Sequence, residues 1–113
     1  MRTLFLLNDP PYGTERCYNA LRLANAIVKR DGEEVKVFLI GDAASCAKAG
    51  QTLPQGYYSL ERMLRILHAK GGETGVCATC MDARGIVDHE LAEGTRRSTL
   101  DALGGQGTRL LKG

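Results

Sequence analysis

The residues best suited to chemistry lie in one stretch, Gly71-Gly72-Glu73-Thr74-Gly75-Val76-Cys77-Ala78-Thr79-Cys80-Met81-Asp82-Ala83-Arg84-Gly85-Ile86. Two cysteines stand three residues apart, directly after a short apolar segment and at the opening of a predicted helix. If residues 77–84 are helical, Cys77, Cys80 and Arg84 fall at i, i+3 and i+7 on one face, so that a thiol and a guanidinium share a side. The first-turn N–H groups of a helix are unpaired and carry partial positive charge, which favours loss of a thiol proton there. Cys77 is the candidate thiolate.

The elements around this stretch follow from periodicity. Residues 2–7 form an apolar run closed by Asn8-Asp9-Pro10-Pro11, consistent with a buried first strand and a turn. Cys17, Ala20, Leu21, Ala24, Ile27 and Val28 recur at helical spacing and predict a helix ending near Asp31-Gly32. Val35 to Ile40 is a second strand, with burial on both faces implied by Val37-Phe38-Leu39-Ile40. A short helix over 43–49, a loop containing Pro54, and an amphipathic helix from Tyr57 marked by Leu60, Met63, Leu64 and Leu67 lead to Gly71-Gly72. Thr74 to Val76 is the third strand. Asp88 is a candidate N-cap for one short turn, Thr95 to Leu103 a last helix with Leu100 and Leu103 inward, closed by Gly104-Gly105, and Gln106 to Leu111 an edge strand.

Strands alternating with helices predict an α/β fold, a three-layer α/β/α arrangement around a mostly parallel sheet of four to five strands, in a single domain over residues 1–113. Reactive groups in such sheets collect at the carboxyl ends of the strands. Cys77 is placed there by chain order, as are the Asn8 to Thr14 loop and Gly41-Asp42, so three loops are expected to converge on the cysteine.

Composition narrows the setting. The chain has 113 residues, 43% of them hydrophobic, and 15 basic against 13 acidic residues give a net charge of +2, too balanced for a nucleic-acid or membrane surface. Tryptophan is absent and aromatics are 5%, so platforms for stacking bases are scarce. No apolar run approaches the roughly 18 residues that cross a bilayer, and Leu4-Phe5-Leu6-Leu7 is too short for a signal-peptide core. The expectation is a cytoplasmic protein whose four cysteines, Cys17, Cys46, Cys77 and Cys80, are reduced thiols.

With those residues in hand, the chain resembles the DsrE/DsrF-like family, which includes small sulfur-relay subunits. Asn8-Asp9-Pro10-Pro11-Tyr12-Gly13-Thr14-Glu15-Arg16 and Gly75 through Ile86 carry the resemblance, and the order of strands and helices agrees over essentially the whole chain. In the sulfur-transferring members a cysteine eight residues before the glycine of an Arg-Gly pair carries a persulfide. That position is Cys77 here, with Arg84-Gly85 as the pair. Cys80 is a departure from the hetero-oligomeric subunits and brings the chain closer to stand-alone homo-oligomeric members. The resemblance thus implies a homo-oligomer, a trimer or hexamer, with sulfur donor and acceptor proteins as partners, without direct nucleic-acid or membrane contact and without a cofactor.

Four chemistries compete for Cys77-Ala78-Thr79-Cys80. A persulfide carrier needs a thiolate stabilised as Cys–S⁻ or Cys–S–S⁻, with Cys80 assisting and Arg84 as charge partner. A dithiol redox pair, a metal site using Cys77 and Cys80, and two inert buried cysteines are the alternatives. Zinc wants further ligands, and only His68, His89, Cys17 or Cys46 are available within one chain. Cys17 and Cys46 read as small hydrophobes. Tyr12-Gly13-Thr14, ahead of a helix, is a candidate anion or partner loop, or simply a turn glycine and a capping threonine. His89, between Asp88 and Glu90, reads as a solvated loop residue.

Overall fold

Strands buried on both faces need neighbours on both edges, and the apolar runs obtain them in a sheet whose order is β4-β3-β2-β1-β5. The computed structural model describes residues 1–104 and 109–112. Its strands are β1 (Arg2–Leu7), β2 (Glu34–Leu39), β3 (Glu73–Cys77), β4 (Thr95–Ser98) and β5 (Arg109–Lys112), and every pairing between them is parallel. The helices are α1 (Arg16–Val28), α2 (Leu60–Ala69), α3 (Ala78–Ala83) and α4 (Leu100–Gly104), with a 3-10 segment at Gly41–Ala47 and another at Asp88–Glu90. The fold is α/β, as expected.

Handedness decides which face each helix covers. From β1 to β2, β3 and β4 the chain steps in one direction, so right-handed crossovers put α1, α2 and α3 on the same side. There Cys17, Leu21 and Ala24 of α1, Leu60, Leu64 and Leu67 of α2, and Met81 of α3 join Phe5, Leu7, Val37, Leu39 and Val76 in the main core. The connection from β4 returns past the whole sheet to β5, and the same rule sends α4 to the opposite face. Leu103 packs there against Leu4, Phe38 and Cys77.

Several boundaries differ from the sequence reading. α1 stops at Val28, short of Asp31-Gly32, and α2 starts at Leu60 because the Ser59 side chain accepts from the Arg62 N–H at its N-terminus. The segment 43–49 is 3-10 in character and starts at Gly41. The largest correction concerns Thr95 to Leu103, which is not one helix. Thr95-Arg96-Arg97-Ser98 is a strand paired with β3 from Thr74↔Thr95 to Cys77↔Ser98, and only the residues after it are helical. It contains no apolar residue, so nothing in its pattern marks a strand. Leu103 is packed inward, but Leu100 is 54% exposed and does not point inward. Of the expected edge strand over 106–111, residues 106–108 lie outside the described residues, and β5 pairs with β1 from Thr3↔Arg109 to Leu6↔Lys112.

The helices flanking the site end in the same way. After α2, Gly71 at φ +97° lets its N–H bond the His68 carbonyl and the Gly72 N–H bond the Leu67 carbonyl. After α3, Gly85 at φ +67° bonds Asp82, while the Ile86 N–H bonds the Met81 carbonyl. Both are Schellman endings, and at α3 the accompanying apolar contact is between buried Ile86 and buried Met81. The glycine of the Arg84-Gly85 pair is therefore the stop that closes α3. An added Cβ at Gly85 meets nothing within 4 Å, so Gly85→Ala is expected to cost only the left-handed backbone strain, about 1–2 kcal/mol, read as a lowered urea midpoint with an unchanged slope.

Candidate functional site

β3 alternates across the sheet, with Thr74 and Val76 on the main-core side and Gly75 and Cys77 on the other. Cys77 ends the strand, occupies the N-cap position of α3, and is 4% exposed. Its side chain forms part of a cavity of about 220 Å³ on the α4 side, shared with Thr79, Ser98, Thr99, Leu100 and Asp101. Cys80, one turn into α3, is half-buried and touches both cores.

Hydrogen bonds set the character of the two thiols. The Cys77 sulfur lies 3.3 Å from the Thr79 hydroxyl. Burial raises the Cys77 pKa, but the polar groups of Cys80 and Thr79 beside the sulfur outweigh it, and the net direction is below the ordinary thiol value. Cys80 moves the other way. Burial and its hydrogen bond to Cys77 raise it, against smaller lowering effects from the Gly41 N–H and the Arg84 charge. The Gly41 N–H donates to the Cys80 sulfur at 3.1 Å. The two thiols thus diverge, with ionisation favoured at Cys77 and disfavoured at Cys80.

Arg84 is not the charge partner of Cys77 that helical spacing suggested. Its guanidinium donates to the Cys80 carbonyl at 3.0 Å and to Asp42 at 2.7 Å. Helix α3 ends before Arg84, so the i+7 position is lost and the side chain folds back along Cys80. The three loops do not all converge on Cys77 either: Gly41-Asp42 reaches Cys80 and Arg84, while the Asn8 to Thr14 loop serves other elements. Within it the Tyr12 hydroxyl accepts from the Leu60 N–H at the start of α2, and the Thr14 hydroxyl donates to Asp9 and accepts weakly from the Arg16 N–H. Glu15, not Thr14, holds the N-cap position of α1. Gly13 turns there at φ +105°. A larger cavity of about 1050 Å³ runs along β1 and α1, lined by Phe5, Leu7, Asp9, Thr14 and Asn19, and neither cysteine of the pair contributes to it.

Three participants had no clear place in the sequence reading: Thr79, Ser98 and Arg97. Thr79 was visible as a hydroxyl inside the Cys-x-x-Cys spacing. Arg97 donates to Asp88 and Asp82, both at 2.9 Å, and to the Ala78 carbonyl at 3.4 Å. Asp88 is accordingly an arginine partner; the 3-10 turn has Val87 at its N-cap position, with its N–H bonded to Glu90. The other two cysteines are fully buried in the main core. The Cys17 thiol donates to the Asp9 carbonyl at 3.2 Å, and Cys46 is held well above the ordinary thiol range by its hydrogen bond to Cys17 and by burial. Among the described residues no three His, Cys, Asp or Glu side chains gather as a metal-ion site, and no helix is long and apolar enough to cross a membrane.

The sequence profile of the DsrE/DsrF-like family matches residues 1–110. Protein YchN of Escherichia coli strain K12 is 35% identical over 100 residues, 88% of this chain and 85% of YchN. An uncharacterized protein of Methanopyrus kandleri is 37% identical over 99 residues, 87% of this chain and 79% of that protein. The crystal structure of YchN from E. coli aligns over 100% of both chains with a TM-score of 0.89 at 32% identity. Protein MTH1491 of Methanobacterium thermoautotrophicum, of unknown function, aligns over 99% of this chain and 98% of its own with a TM-score of 0.76 at 13% identity, a likeness of fold.

The pKa directions predict the labelling of native protein. A depressed pKa brings Cys77 into its thiolate form at lower pH, so iodoacetamide is expected to modify Cys77 ahead of Cys80 as pH rises, read by peptide mass mapping. Thr79→Val removes a donor to the thiolate and is expected to move the Cys77 profile upward by about one pH unit, roughly 1.4 kcal/mol. Labelling of Cys80 first contradicts the assignment.

Proposed function

Because the chain belongs to the DsrE/DsrF-like family, we propose that it carries sulfane sulfur on Cys77 as a persulfide, receiving it from a donor protein and passing it to an acceptor. The observation that carries this reading is the Cys77 sulfur at the carboxyl end of β3, 3.3 Å from the Thr79 hydroxyl and opening into a small cavity. In the accepting step the Cys77 thiolate attacks the outer sulfur of a donor persulfide R–S–SH. A new S–S bond forms to Cys77, the donor S–S bond breaks, and R–S⁻ leaves with the bond electrons. An acceptor thiolate then attacks the outer sulfur of Cys77–S–SH and releases the Cys77 thiolate. No external oxidant or reductant enters either step.

Cys80 assists as a donor. Its S–H stabilises the anion on Cys77, and its raised pKa keeps it protonated and a poor nucleophile in the resting protein. Should Cys80 attack the inner sulfur instead, sulfide leaves and a Cys77–Cys80 disulfide forms, which needs an external reductant to reset. Arg84 supports this arrangement through Cys80 rather than through Cys77. We further propose that the working form is a cytoplasmic homo-oligomer, a trimer or hexamer, in keeping with Leu6 and Ile40, which are only half covered on the α4 face of the sheet.

Incubation with a cysteine desulfurase and cysteine, followed by intact-mass spectrometry, tests the reading. Wild-type protein is expected to gain one sulfur mass, removed by reductant. Cys77→Ser is expected to gain none, and Cys80→Ser to gain sulfur but lose it faster to added thiol. Absence of any gain on Cys77 with several competent donors overturns the carrier reading. Release of sulfide with accumulation of a Cys77–Cys80 disulfide turns it into a dithiol redox function.

A further inference from the structure

Helix α3 is six residues long, far below the roughly 12–15 at which a helix holds itself in water. It has no side-chain cap at its N-terminus and no acidic residue in its first turn. Yet the Thr79 hydroxyl, in that turn, lies 3.3 Å from the Cys77 sulfur, and Cys80 follows it in the same turn. Something outside the helix has to hold the turn. Met81 and the Gly85 ending fix its far side, and the near side is held from β4. The pairing Val76↔Arg97 puts Arg97 on the sheet face that carries α3, and its guanidinium spans the helix from the Ala78 carbonyl to Asp82, with Asp88 as a third anchor.

Resting on the reading of Cys77 as the sulfur-carrying thiol, we propose that Arg97 is a positioning residue for it, clamping α3 so that the Thr79 hydroxyl and Cys80 keep their places beside the Cys77 sulfur. Arg97 bonds neither thiol. Its side chain is 35% exposed, and ion pairs of that exposure contribute little to global stability. The clamp therefore acts on the reactivity of Cys77 more than on the fold. A planar fork is needed, because the guanidinium serves a carbonyl and two carboxylates at once, which an ammonium on a flexible stem does not reproduce.

The charged and titratable groups around Cys77 give opposite signs to a clamp and to simple charge. Besides Arg97 with Asp82 and Asp88, these are Cys80 on α3, Asp101 across the cavity, and Arg84 with Asp42 beyond Cys80. Removing Asp82 and Asp88 leaves Arg97 positive and subtracts two negative charges, so through-space electrostatics lowers the Cys77 pKa. Loss of the clamp raises it.

The experiment is the pH profile of Cys77 alkylation in full-length wild type, Arg97→Gln, Arg97→Lys and the double variant Asp82→Ala/Asp88→Ala, each checked for folding by its urea midpoint. All three variants are expected to shift the profile upward by about one pH unit, an approximately tenfold slower reaction at pH 6. A profile unmoved in Arg97→Gln overturns the proposal. So does a wild-type profile in Arg97→Lys, which assigns the effect to charge, or a downward shift in the double variant. If Arg97→Gln does not fold, the double variant decides alone, since both of its substitutions lie at exposed carboxylates. Alkylation reads the thiolate without any sulfur transfer. Failure of the carrier reading therefore appears separately, as wild-type protein with the expected profile but no sulfur gain.

Discussion

The structure depends on one residue serving two elements. Cys77 is the last paired residue of β3, opposite Ser98, and the next residue already belongs to α3. Strand pairing therefore fixes its backbone and strand alternation fixes its face. With Thr74 and Val76 committed to the main core, the sulfur has to emerge on the other side; a one-residue slip of β3 would exchange the two sets. Gly75 reinforces this register, since a Cβ there would come within 3.0 Å of the Ser98 Cβ and 3.4 Å of Phe38. The close approach of β4 that encloses the sulfur is possible because this position has no side chain.

Given that placement, the electrostatics of the site come from short-range donors. A six-residue helix supplies few aligned peptide dipoles, and the Arg84 guanidinium is occupied with Asp42 and the Cys80 carbonyl. What lowers Cys77 despite its burial are the polar groups of Cys80 and Thr79, both in a single turn, with the Thr79 hydroxyl 3.3 Å from the sulfur. Both arginines flanking that turn act on its backbone: Arg84 on the Cys80 carbonyl, Arg97 on the Ala78 carbonyl. Their aspartate partners orient them. The reactivity of the thiol is thus a property of how α3 is held.

Much of this was legible in the sequence, and the limits have physical causes. The runs Leu4-Phe5-Leu6-Leu7 and Val37-Phe38-Leu39-Ile40 announce strands buried on both faces, and that is enough to imply parallel pairing and to put Cys77 at a strand end. β4 was not legible because Thr95-Arg96-Arg97-Ser98 is a strand by pairing and carries no apolar alternation; with it went Arg97 and the wall of the Cys77 cavity. Arg84 was misplaced because helical spacing was extended one residue too far, past the point where Gly85 turns the chain. The grouping of Tyr12, Tyr18, Tyr57 and Tyr58, with the rings of Tyr18 and Tyr58 stacked 4.1 Å apart, joins loops and helices distant in the chain, and no local pattern foretells it.

The two thiol pairs of the chain show what separates a reactive cysteine from a packed one. Cys17 and Cys46 interact much as Cys77 and Cys80 do, one thiol donating to the other and rising in pKa for doing so. The pairing alone therefore confers no function. Cys17 is even drawn below the ordinary thiol value by its hydrogen bond from Cys46, yet both cysteines lie at 0% exposure inside the main core, so a second molecule has no approach to either sulfur. At Cys77 the same pairing is combined with the Thr79 hydroxyl and with a cavity that leads to it from the β4–α4 side. The difference comes from where the fold sets each pair: Cys17 on α1 and Cys46 in the 3-10 segment lie inside the main core, whereas Cys77 ends a strand and opens into a cavity.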